Sequence, residues 1–115
     1  MEIYNFKKTC GKRITHYSSD FIMTKILQTS EAASIGAMYL EENGIVGYHQ
    51  AMTPQLLLIV SGAGFVSVDQ EEYVQVGEGD AIFWQHGEWH ETKTKTGMTA
   101  VVIEGNEVNP SLLLQ

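Results

Sequence analysis

From Ser34 onward the chain alternates between short apolar, β-branched runs and small clusters of turn residues. "SIGAMYL" runs into "EENG", where Asn43-Gly44 predicts a turn with a positive φ. "IVGYHQA" and "MTP" follow, then the apolar run "QLLLIV". The glycines of "SGAG" predict a tight hairpin from which "FVSVD" returns. "YVQV", the turn "GEGD", "AIFW", the turn "QHGE", "WHETK", a turn at Lys95–Gly97 and "MTAVVIE" complete the series. This pattern predicts roughly eight short strands spaced about ten residues apart, as in an antiparallel sandwich or barrel.

"QLLLIV" is apolar at consecutive positions, which suits a strand covered inside and outside. Upstream, "DFIMTKILQTSEAA" has a poor helical period and recurrent β-branched residues, and reads as an edge strand or loop. The pattern divides the chain into an N-terminal arm over 1–33, a β domain over 34–104 and a tail over 105–115. The tail ends apolar in "NPSLLLQ", to be docked on the domain or on a partner, or frayed.

At 115 residues, with 43% hydrophobic and 18% charged, the chain fits one folded domain. Cys10 is the only cysteine, which excludes an intrachain disulfide and a thiolate zinc cluster. No run approaches the roughly 18–20 apolar residues of a membrane span. The start "MEIYNFKKTC" lacks a secretory-type apolar core, so a cytoplasmic protein is expected. A net charge of −7 argues against binding nucleic acid through its phosphates.

The charge is unevenly spread. Between Ile26 and Thr92 there is no lysine or arginine but ten acidic residues, while Lys7, Lys8, Lys12, Arg13 and Lys25 gather in the arm. A basic arm and an acidic body can pack on each other, within one chain or across a dimer, or the arm can simply be solvated.

The densest chemistry is "QHGEWH", with His86, Glu88 and His90 at alternate positions. On an extended strand these would share a face and offer two imidazoles and a carboxylate to a metal. The alternative is a polar turn at the mouth of the β domain with one inward histidine. Gly87 breaks the alternation and puts His86 at the rim, while Glu88 faces the way His90 does if the strand extends back through it. His16 lies in the arm and reads as a surface residue.

These residues resemble the cupin family, whose two motifs are G-x5-H-x-H-x3,4-E-x6-G and G-x5-P-x-G-x2-H-x3-N. Gly44 precedes His49 by one residue fewer than the first motif asks. His49 takes the first histidine, Ala51 stands at the second, Gln55 stands at the glutamate, and Gly62 closes the motif on register. In the second motif Gly79, Gly87 and His90 match, while Gln85 replaces proline and Thr94 replaces asparagine. The match spans roughly residues 34–104.

The resemblance implies an all-β, cupin-type antiparallel β-barrel of jelly-roll kind, in a single domain and commonly as a homodimer. It also implies one divalent transition metal (Fe, Mn, Ni or Zn) held by His49, Gln55 and His90, with Glu88 as an extra ligand, or a site without metal. Tyr48, His49, Met52, Gln55, Trp84 and His90 are the expected lining for a small-molecule ligand, with Phe83 and Trp89 as further candidates. Neighbours such as Phe83 and Trp84 must face opposite ways, and the pattern leaves open which one points inward.

Two functions follow from different classes. One is a small-molecule binding module whose metal site has decayed. The other is a metal-dependent enzyme of dioxygenase or isomerase type. A metal-free epimerase-like route, with a histidine as base and Tyr48 as partner acid, is a third.

Overall fold

The computed structural model describes residues 1–113; Leu114 and Gln115, at the end of the apolar tail, lie outside the described residues. The described residues form ten strands: β1 (Glu2–Asn5), β2 (Lys12–Ile14), β3 (Phe21–Met23), β4 (Ser34–Leu40), β5 (Ile45–Gln50), β6 (Gln55–Val68), β7 (Glu72–Gly77), β8 (Asp80–Trp84), β9 (Trp89–Lys93) and β10 (Met98–Glu104). All their pairings are antiparallel. No helix among the described residues is long and apolar enough to cross a membrane.

One layer runs β1-β8-β6-β10-β4. In the other, β6 pairs with β7 and β9, and β9 with β5. The long β6 belongs to both. Its start pairs with β8 and β10, and its end, from Phe65, with β9. The strand edges stay open, so hydrogen bonding closes a two-layer jelly roll and not a continuous barrel.

"SGAG" is not the hairpin its glycines predict. β6 passes straight through it, and the chain reverses afterwards, at Asp69 and Gln70, both at positive φ. The glycines bend the strand instead. Ser61 lies opposite Thr99 and Ile59 opposite Ala100, so Val60 is the extra residue of a bulge. Two residues on, Gly62 has φ +83°, and a Cβ there would lie 2.3 Å from the Gly97 carbonyl oxygen. The remaining turns fall where the pattern put them, with Asn43, Gly79, Gly87 and Gly97 at positive φ.

The apolar run of β6 is covered on both faces, as its composition predicts. Leu57 and Ile59 point between the layers with Val66, Val76, Ile82, Trp84, Met98 and Ala100. Leu56 and Leu58 point outward with Phe83 and Ile103, under a cover of Tyr4, Phe6, Ile26, Leu27, Val108 and Leu113. The arm and the tail are therefore what buries the back of the first layer, and each large side chain so covered stabilises the fold by about 1.5–3 kcal/mol. Between Met23 and Ser34 no helix forms, and β3 followed by a loop matches the irregular pattern there.

Candidate functional site

β5 and β9 pair in a register that sets His49 opposite His90. A register shift between Val46 and His49 absorbs Gly47 and Tyr48 and restores the alternation for the histidine. Both imidazoles therefore project to the inner side of the second layer, with ring centroids 4.3 Å apart. The two histidines that the motif spacing singles out are thus brought together.

Their surroundings differ. His49 is exposed, and its Nδ1–H donates to the Gly47 carbonyl at 2.7 Å. His90 is 1% exposed and stacks on the Trp84 ring at 4.3 Å and 25°. Burial, and then the neighbouring His49, lower the His90 pKa to about 4, against an opposing pull from Glu88. At neutral pH His90 is thus an uncharged imidazole with one N–H and one lone pair. Neither His90 nitrogen has a hydrogen-bond partner among the described residues, and neither does the Trp84 indole N–H. Buried polar atoms are nearly always paired, so three unpaired nitrogens on two stacked rings set this spot apart from the rest of the core.

Gln55 lies opposite Trp84 across β6–β8, which puts it on the same inward face, and it is buried. Trp84, not Phe83, is the inward aromatic; Phe83 joins the outer cluster. Tyr48 and Met52 are not brought to the histidines in this way. Tyr48 packs on Trp89 at 5.4 Å, and Trp89, next to His90 on a strand, faces the opposite side. Met52 is 75% exposed in the β5–β6 connection. His86 and His16 are exposed, as expected.

The donor set does not fit a resident transition metal. Ala51, at the second histidine position, is part of the apolar core. Gln55 brings no negative charge. Glu88 is committed elsewhere, since one oxygen accepts from the Met1 ammonium at 2.7 Å and the other from the Gln85 N–H at 2.7 Å. Among the described residues no group of three or more His, Cys, Asp and Glu side chains is placed to hold a metal ion. Two imidazoles alone fall short of the three protein ligands such centres use. Thr94, at the asparagine position, is a structural residue: its hydroxyl donates to Ala63 at 2.7 Å and accepts from the Gly97 N–H at 3.0 Å.

The sequence gives no signal for the Met1–Glu88 pair, whose members are 87 positions apart. The inward Trp84 becomes readable only once the β6–β8 register is known.

No family model matches the chain, and no curated protein matches it in sequence. Solved structures do match. A cupin superfamily protein from Desulfitobacterium hafniense aligns with a TM-score of 0.61 at 16% identity, over 70% of this chain and 72% of that one. A DMSP lyase from Ruegeria pomeroyi aligns with a TM-score of 0.60 at 21% identity, over 70% of this chain and 42% of that one. A polyketide cyclase from Streptomyces resistomycificus aligns with a TM-score of 0.59 at 23% identity, over 65% of this chain and 55% of that one. At such identities the likeness speaks for the backbone and not for the chemistry. The two-layer jelly roll, its glycine turns and these neighbours make the chain a small cupin-type domain in fold.

Proposed function

We propose that this domain binds a small, uncharged polar molecule at the His49–His90 mouth without a resident metal. The observation that carries the reading is the set of unpaired buried nitrogens on His90 and Trp84. The indole N–H asks for an acceptor, and the neutral His90 offers one donor and one acceptor. A carbonyl or amide compound supplies matching groups. A carboxylate is disfavoured, because burial holds His90 uncharged and the Glu88 charge already acts on it. The cyclase and lyase neighbours show that this backbone also hosts enzymes, but nothing in this donor set favours the metal-dependent route.

The test is a nuclear magnetic resonance screen of small ketones, lactones and amides, read at the His90 ring nitrogens and the Trp84 indole. Saturable shifts at both, lost in His90→Phe, are the expected result. Near-stoichiometric Mn, Fe, Ni or Zn in untagged protein, absent from the His49→Ala/His90→Ala double variant, would overturn the metal-free reading.

A further inference from the structure

The arm borders a cavity that shares no lining residue with the histidine pair. β2 and β3 form their own two-stranded sheet, with Lys12 opposite Met23 and Ile14 opposite Phe21. Alternation along the two strands places Lys12 and Ile14 with their partners Met23 and Phe21 on one face, and Lys25 follows just beyond the end of β3. That face borders a cavity of about 300 Å³ lined by Cys10, Lys12, Ile14, Met23, Lys25 and Leu112. This is the low end of the range for small-molecule sites.

Its lining is divided. Ile14, Met23 and Leu112 are apolar, and Met23 and Leu112 are 43% and 45% exposed. Lys12 and Lys25 bring two positive charges, and neither has an acidic partner among the described residues. The arm's other ion pair, Arg13 with Asp20, does not involve them. In a protein of net charge −7, Lys12 and Lys25 set two ammonium groups beside the exposed apolar side chains of this one cavity.

We propose that this cavity binds a small amphiphilic anion, of the class of a medium-chain carboxylate. The chain lies on Ile14, Met23 and Leu112, and the headgroup meets Lys12 and Lys25. Both parts are needed. Burying the apolar side chains supplies the non-directional part of the affinity, and the two ammonium groups select the charge.

The test uses the full chain and three probes: sodium octanoate, 1-octanol and sodium acetate. Calorimetric titration should show saturable binding of octanoate, weakening as salt is raised. Octanol and acetate should each bind at least about tenfold more weakly, as should octanoate to Lys12→Ser/Lys25→Ser, in line with the loss of charge-assisted contacts. Leu112→Ser, which leaves both charges, should also weaken octanoate. Amide shifts should map to residues 10–14, 23–25 and 112, and His49→Ala/His90→Ala should bind octanoate as the parent does. Failure of the histidine site would leave that last result unchanged, so the two proposals stand or fall separately. Equal binding of octanol, an unaffected lysine variant, shifts confined to residues 49 and 90, or binding to anionic phospholipid vesicles with none to octanoate would overturn the assignment.

Discussion

His49 and His90 face each other across two paired strands, 4.3 Å apart at the ring centroids, yet one is open to solvent and the other is sealed against Trp84. The difference decides their protonation. A His90 pKa lowered to about 4 means that unfolded chains, titrating near 6.5, bind a proton first as the solution is acidified. Stability linked to His90 is therefore complete above about pH 6.5 and is lost as pH falls toward 4. The full effect is about 3 kcal/mol. Urea unfolding at pH 7, 5.5 and 4 should show this decline, and His90→Phe should flatten it.

Removing each imidazole should have unequal effects. His90→Ala empties a buried position under Trp84 and should cost about 2–4 kcal/mol, in the range of other large-to-small core changes. His49→Ala removes an exposed ring and should cost under about 1 kcal/mol. Because His49 is one cause of the low His90 pKa, its removal should raise that pKa, as followed by ring resonances. An unchanged His90 titration in His49→Ala would contradict the coupling.

Glu88 links the chain's first residue to the β8–β9 turn. Glu88→Gln keeps the acceptor for the Gln85 N–H but loses the charge pair with the Met1 ammonium. A loss of about 1 kcal/mol is expected for this partly buried pair, measured by thermal or urea unfolding near neutral pH. The same change should push the His90 pKa further down, since Glu88 acts to raise it.

Gly62→Ala should destabilise strongly, by about 2 kcal/mol or more. The substitution meets both a positive φ and the Gly97 carbonyl oxygen 2.3 Å from the added carbon. Gly47→Ala, where nothing lies within 4 Å of the added carbon, is the comparison that should be mild. Equal unfolding midpoints for the two would mean that the bend at Gly62 is not fixed by the close approach of the neighbouring turn.

The strands from Ser34 to Glu104 are legible because period-two alternation and glycine turns are local signals. "SGAG" misleads for a local reason too. A glycine that bends a strand and a glycine that reverses it look alike in sequence, and only the pairing of Ser61 and Ile59 with β10 separates them. Motif spacing singles out His49 and His90, and the β5–β9 register sets the two opposite each other. The commitment of Glu88 to Met1 and the outward turn of Tyr48 are tertiary facts with no short-range trace. The covering of Leu56 and Leu58 by arm and tail was readable only as a need, from an apolar run too rich for one buried face.

The sharing of β6 between the two layers has a consequence for how the molecule comes apart. A strand hydrogen-bonded at one end to β8 and β10 and at the other to β7 and β9 ties both layers into one cooperative unit. Amide protons along its interior should exchange with solvent together, through global opening, while those of the separate β2–β3 hairpin escape earlier. Beyond the local β7 hairpin, three partners from farther along the chain, β8, β9 and β10, must find this one strand during folding, so loop closure precedes its reward and slow folding for the domain's size is expected.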